Sequence, residues 1–251
     1  MKSSIQPLTE KPFHSIWVRI AHWIITLSFF ALVFTGIEMT MVHPRFYWGE
    51  VGNDLTPSLF ELPVSRNYKH GGWEKSIPFY ENPNSPVSAS RTYDIFNQNG
   101  WGRSLHFLAG WFLVIPGVFY ILLGLYTGHF KKNIWPGIQE LSPSKLWADL
   151  KEHFRVKIPV PVQSKYGLMQ KCSYAIVIFI FMPLIIMTGM TMSPAITAAY
   201  PFLLKLFLGA QSARTVHFIL SAALVGFFVV HVMMVIRFGF KKQMSLMIKG
   251  H

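Results

Sequence analysis

Four stretches of the chain are almost wholly apolar, and each is long enough to cross the ~30 Å hydrocarbon core of a bilayer as a helix. They cover residues 17–37, 104–127, 172–192 and 213–236, separated by the more polar segments 38–102 and 128–171. Only helices and closed barrels satisfy their backbone polar groups in lipid. The short alternating segments that mark a barrel are missing. The pattern therefore predicts an all-α integral membrane fold, a four-transmembrane-helix bundle forming one domain over 1–251. The first stretch is too long for a signal-peptide core and no small-residue cleavage site follows it, so it reads as a retained anchor.

Composition agrees: 51% of residues are hydrophobic and 14% charged, which excludes an ordinary soluble domain. The net charge of +12 raises the question of nucleic acid, and its distribution answers against it. Segment 128–171 carries Lys131, Lys132, Lys145, Lys151, Arg155, Lys157, Lys165 and Lys171 against three acids. Segment 38–102 has five bases against seven acids, and the C-terminal tail adds Lys241, Lys242 and Lys249. Positive residues collect on the cytoplasmic side of a membrane. Both termini and 128–171 are therefore expected in the cytoplasm and 38–102 in the periplasm, across a bacterial inner membrane. The single cysteine, Cys172, excludes an internal disulfide, a C-x-x-C-H haem attachment and a self-contained iron–sulfur cluster.

The external segment 38–102 is rich in Pro, Asn, Trp and Tyr, and turn-forming residues at 81–87 predict irregular structure. Its aromatics Trp48, Trp73, Phe79 and Tyr80 fit either a docking surface or a cap packed on the bundle. On the other side, Ser142 and Pro143 read as an N-cap followed by Pro at the first helical position. Leu146, Trp147, Leu150 and Phe154 then share one face, as in an amphipathic helix lying on the cytoplasmic surface.

Chemistry enters with histidine. Three stretches open on the same phrase, Arg-x-x-His-aromatic: Arg19, His22 and Trp23; Arg103, His106 and Phe107; Arg214, His217 and Phe218. Positions i and i+3 share a helix face, so each Arg lies one turn toward water from its His. An isolated copy fits an anchoring Arg and a packed His. Three copies in membrane segments, where ionisable residues are rare and functional, point to ligands. An imidazole nitrogen ligates haem iron, which has two axial positions, and Arg one turn outward suits a propionate. Alternating helix direction puts His22 and His231 at the inner level and His106 and His217 at the outer, predicting two haem b, each held by one pair. His217 and His231 are fourteen residues apart, which returns a helix to nearly the same face after a rise of about 21 Å. Gly36 and Gly124 fall on the ligand faces of the first two stretches, where a macrocycle could lie against bare backbone; close helix packing explains glycine equally well. His14, His43, His70, His129, His153 and His251 fall at stretch ends, in loops or at the terminus, and most of them read as solvated. The third stretch has no histidine and reads as a packing or quinone-facing helix.

The four histidines, with the doublet fourteen apart in the last stretch, resemble those of the di-haem cytochrome b subunits of respiratory Ni-Fe hydrogenases, formate dehydrogenases and thiosulfate reductases, a group of cytochrome b561-like bacterial membrane subunits. Supporting phrases are Arg19 to Trp23, Lys165 to Lys171, and Phe227 to His231. The resemblance covers the four stretches, and the long external segment departs from the hydrogenase pattern. It implies an electron-transfer subunit linking membrane quinone to an external catalytic redox subunit, directly or through an iron–sulfur or haem c subunit. It implies a quinone site beside the inner haem, with Tyr166 and Gln170 as candidates and Asn133 in the preceding loop. The enlarged external segment favours a molybdopterin oxidoreductase as partner over a Ni-Fe hydrogenase. A histidine-relay proton or ion transporter would need polar residues along the cores, which are almost bare of them. A cofactor-free scaffold would not need histidines at matched depths. The chain shows no flavin, iron–sulfur or molybdenum signature of its own.

Overall fold

The computed structural model describes residues 13–53, 56–62, 64, 99–137, 140–154 and 167–250. In chain order these form α1 (Ile16–Val42), a small hairpin of β1 (Arg45–Phe46) and β2 (Phe60–Glu61), α2 (Asn99–Tyr126), a π-helical turn (Phe130–Ile134) and α3 (Pro143–Phe154). Then come α4 (Leu168–Thr191), α5 (Pro194–Ala199), α6 (Phe202–Leu206), α7 (Ala210–Arg237) and α8 (Phe240–Ile248). Helices α1, α2, α4 and α7 are long and apolar enough to cross a membrane, as the hydropathy pattern predicts. Their many exposed large apolar side chains, among them Leu27, Trp111, Phe119, Ile180 and Ile219, suit a lipid-facing surface.

Two helix ends run five residues beyond the apolar pattern. α1 continues past 37 to Val42 and α2 begins at Asn99 rather than 104. Glu38 reads in sequence as the end of a span, yet it is 1% exposed. Its carboxylate lies where a Cβ on Gly102 of α2 would be. The carboxyl group is turned into the helix pair, so the helix does not stop at it.

α1 packs along α2, and the second half of α4 packs along α7. α4 passes through a π-helical turn at Val177–Phe181. Pro183 follows it; proline has no N–H and its ring crowds the carbonyl four residues earlier, and a π turn is one way a helix absorbs that misfit.

Irregular structure is the expectation for the external segment, but its described part contains the hairpin. Arg45 pairs with Glu61 and Phe46 with Phe60, closed by the Arg45 Nε to Glu61 Oε1 contact of 2.9 Å. Residues 81–87, with Trp73, Phe79 and Tyr80, lie outside the described residues. Phe46 stacks on Phe60 and meets Phe218 of α7 at 4.4 Å between ring centroids. The next turn caps α7: Gln211 N and Ser212 N donate to the Gly49 carbonyl, and Gly49 N donates to Ser212 Oγ. Gly209 makes this approach possible, because at φ 118° its missing Cβ would overlap the Gly49 backbone.

On the opposite side α3 begins at Pro143 as the sequence predicts. It does more than lie on a surface: Asp149 Oδ2 accepts from Met169 N at 2.7 Å, satisfying an orphan donor at the start of α4 and complementing its dipole. Lys171 Nζ reaches Glu140 Oε2 at 3.1 Å, and this ammonium holds the Glu140 carboxyl below its usual range. α8 folds back over the start of α1, where Arg19 Nη1 and Trp23 Nε1 donate to the carbonyls of Ile248 and Met247.

The bare face expected at Gly124 is filled. The Phe130 ring, delivered by the π-helical turn after α2 and 5% exposed, lies where a Cβ on Gly124 would be. Gly124 thus serves helix–aromatic packing. Gly124→Ala should lower stability by about 1–3 kcal/mol through overpacking. Combining it with Phe130→Ala should cost less than the sum of the two single changes. Thermal unfolding of the three variants in detergent checks this; strictly additive losses would break the assignment.

Candidate functional site

The histidines meet in the pairs that helix direction predicts. His22 of α1 faces His231 of α7 with ring centroids 6.4 Å apart and planes inclined by 50°. His106 of α2 faces His217 of α7 at 6.2 Å and 59°. α1 and α2 do not pack along α7 as they do along each other, so the rings bridge the space between the two helix pairs. Phe29 and Phe30 of α1 lie against Phe228 of α7 at 5.3 and 5.2 Å, at positions between the two levels in both helices.

These separations can be tested against ligation. Two imidazoles flanking one metal at ~2 Å from each nitrogen have centroids about 6.4 Å apart. Both pairs stand at that spacing, too far for a direct ring-to-ring hydrogen bond. Among the described residues His, Cys, Asp and Glu do not gather in groups of three or more. Paired single donors are the set expected for a metal that brings its equatorial ligands with it. The residues present therefore fit haem at each level.

The outer pair is held further. Thr35 Oγ1 of α1 lies 2.8 Å from His106 Nδ1, and Thr188 Oγ1 of α4 lies 2.9 Å from His217 Nδ1. Both threonines are 0% exposed. Each is followed by a glycine: a Cβ on Gly36 would sit 3.9 Å from His106 Cε1, and one on Gly189 would sit 3.3 Å from His217 Cε1. Gly36 thus lies on the ligand face, against the imidazole. The third span, read in sequence as a packing or quinone-facing helix, contributes to the outer site. Thr35, Thr188 and Gly189 escaped the sequence reading. The repeated Thr-Gly doublet was the available signal. At the inner level His22 Nδ1 is buried and has no hydrogen-bond partner among the described residues.

The three arginines stand one turn outward from their histidines, but two are held by protein groups. Arg214 donates to the His43 carbonyl and to Gln211 Oε1, and its guanidinium lies 5.0 Å from the Phe46 ring centre. Arg19 donates to Ile248 O, while its Nε is buried without a hydrogen-bond partner among the described residues. Arg103 is exposed, 5.7 Å over Phe107.

Of the quinone candidates, Tyr166 lies outside the described residues. Gln170 Nε2 donates to Tyr174 OH at 2.8 Å. Tyr174 contacts Phe227 at 6.2 Å, and Phe227 stacks on His231 at 6.0 Å. Asn133 Nδ2 lies 3.2 Å from His129 Nδ1. His129, one of six histidines read as mostly solvated, is half-buried with its ring 5.3 Å from Trp17 and 6.1 Å from Tyr120. His14 is also buried, edge-on to Phe13.

Residues 14–250 match the model of the prokaryotic cytochrome b561 family, and the chain belongs to that family. Over 238 residues it is 26% identical to the "Putative protein-methionine-sulfoxide reductase subunit YedZ1" of Azospira oryzae, a match covering 95% of this chain and 96% of that protein. No solved structure matches. Membership makes the chain an integral membrane haem-b subunit.

Proposed function

We propose that this chain is the di-haem b-type membrane subunit of an oxidoreductase complex, transferring electrons between membrane quinone and an external catalytic partner. The observation that carries the proposal is the pair of histidine pairs, each at a separation into which one metal would fit between two imidazoles. Haem b, when bound, supplies a one-electron iron couple at each level. The chain's own residues do the rest. His22 with His231, and His106 with His217, would hold the two haem irons. Arg19, Arg103 and Arg214 stand one turn outward, where a guanidinium can pair with a carboxylate. The Phe29, Phe30 and Phe228 rings keep water out of the space between the levels.

Quinone fits beside the inner pair. Gln170 donates to Tyr174 OH, and Tyr174 reaches the His231 ring through Phe227, which puts both polar side chains within one aromatic contact of the inner pair. Tyr166 and Asn133 belong to the same side of the bilayer. The bases of 128–171 and of the C-terminal tail support a cytoplasmic placement of this side, and of both termini, in a bacterial inner membrane. The hairpin of β1 and β2 then belongs to the periplasmic face, where a partner docks. The external partner is proposed to be a molybdopterin oxidoreductase. The name of the Azospira relative favours a reductase of an oxidised sulfur group over a Ni-Fe hydrogenase as the catalytic subunit.

Purified protein should contain two b haems per chain by pyridine haemochrome. Ala at His106 or His217 should remove one, and Ala at His22 or His231 the other. A variant changed at both members of a pair should lose no more than either single change. If His22→Ala and His106→Ala abolish the same spectral component, the pairing is wrong. Separately, Gln170→Ala or Tyr174→Phe should leave haem content intact. Each should raise the KM for a soluble quinol analogue about tenfold, the equivalent of one hydrogen bond at ~1.4 kcal/mol. An unchanged KM would remove these residues from the quinone site.

A further inference from the structure

The two histidine levels differ in what stands behind the rings. Thr35 Oγ1 lies 2.7 Å from the Ala31 carbonyl and 3.2 Å from that of Leu32. Thr188 Oγ1 lies 2.8 Å from the Leu184 carbonyl and 3.0 Å from that of Ile185. A carbonyl oxygen can only accept, and a hydroxyl has one hydrogen. In both threonines that hydrogen is therefore given to the helix backbone. The hydroxyl can then only accept from the histidine, so His106 and His217 each carry their proton on Nδ1 and donate it to threonine. Nε2 is left with its lone pair. Gly36 and Gly189, next in sequence, leave room for Cε1 of each ring. The cradle is built twice, once from α1 and once from α4. It has no counterpart at His22, whose buried Nδ1 finds no hydrogen-bond partner among the described residues.

We infer that Thr35 and Thr188 are positioning residues of the outer site, fixing the tautomer and ring orientation of its two histidines and raising their basicity so that the outer haem is held in favour of its ferric form. The inference rests on the di-haem reading and assigns these threonines a role that reading does not need. A partner accepting from the distal N–H orients a ligating imidazole and makes it a stronger donor, and such partners are worth about 10–100-fold in metal affinity or activity. Stronger donation favours the higher oxidation state. Because the two threonines act on different rings, their effects should add.

The test uses the full chain in detergent, with haem content measured first. A wild-type haem count other than two would overturn the di-haem reading before any threonine is changed. With two haems present, Thr35→Val and Thr188→Val should each move one of the two midpoint potentials upward and leave the other in place. The expected loss of ferric preference is about tenfold, or ~59 mV for a one-electron couple. The same haem's ferric low-spin EPR signal should shift, since its g values follow imidazole orientation. Thr35→Ser and Thr188→Ser, which keep the hydroxyl, should restore both readouts. If a valine variant loses the outer haem while its serine counterpart retains both, the hydroxyl's role at that one level is supported, with the inner haem reporting an intact fold. Valine variants that keep two haems with both potentials and both EPR signals unmoved overturn the inference. So does a serine variant that behaves like valine, or a shift shared equally by both haems.

Discussion

Two imidazoles with centroids 6.2–6.4 Å apart cannot satisfy one another. With nitrogens facing, ~4 Å separates them, beyond hydrogen-bond reach and near twice a metal–nitrogen distance. Such a gap inside a membrane protein is costly unless something fills it, because unmet polar groups have no water to turn to. The bundle is arranged to hold this gap open at two depths. α1 and α2 pack on each other, α4 packs on α7, and the space between these pairs is left to the histidines. One helix, α7, supplies a wall to both levels because fourteen residues return its side chains to one face.

What surrounds the gap consists largely of locks on helix position. At one end of the bundle, the Gly49 turn caps α7 and the hairpin rings clasp Phe218. At the other end, Asp149 caps α4, Phe130 wedges under Gly124, and α8 closes over Arg19 and Trp23. Each fixes the height of a helix along the membrane normal. A facing histidine pair depends on height: a slip of one residue, ~1.5 Å, would spoil the opposition of two rings.

Most of this frame was legible in the chain. Apolar length announced the four spans, and helix direction with the fourteen-residue doublet announced which histidines meet. The helix ends were less legible, because a glutamate reads as a boundary unless its burial is known, and Glu38 is turned inward against Gly102. Gly124 shared the periodicity of a bare haem-facing position, but nothing local revealed that the π-helical turn would return Phe130 to it. The threonines were quieter still. A threonine in a membrane helix ordinarily bonds its own backbone four residues back, and Thr35 and Thr188 do so. Only the placement of a second helix shows that the same oxygen also faces a histidine.

That double use gives the third span a part in the histidine pairing although it carries no histidine. A hydroxyl free to rotate could donate to or accept from an imidazole, and would leave the tautomer unsettled. Once its hydrogen is held by the carbonyl below, it can only accept. The backbone hydrogen bonding of α1 and α4 thereby reaches the ring nitrogens of His106 and His217. The Thr-Gly doublet joins the two requirements in adjacent positions: an acceptor for the ring's proton, and no side chain where the ring must lie. At the inner level Thr26 also donates to its own helix, to the carbonyl of His22, but the His22 ring's Nδ1 has no hydrogen-bond partner among the described residues. Two histidine pairs built on the same helix faces thus differ in what stands behind their rings, and the difference comes from α4 and the C-terminal end of α1.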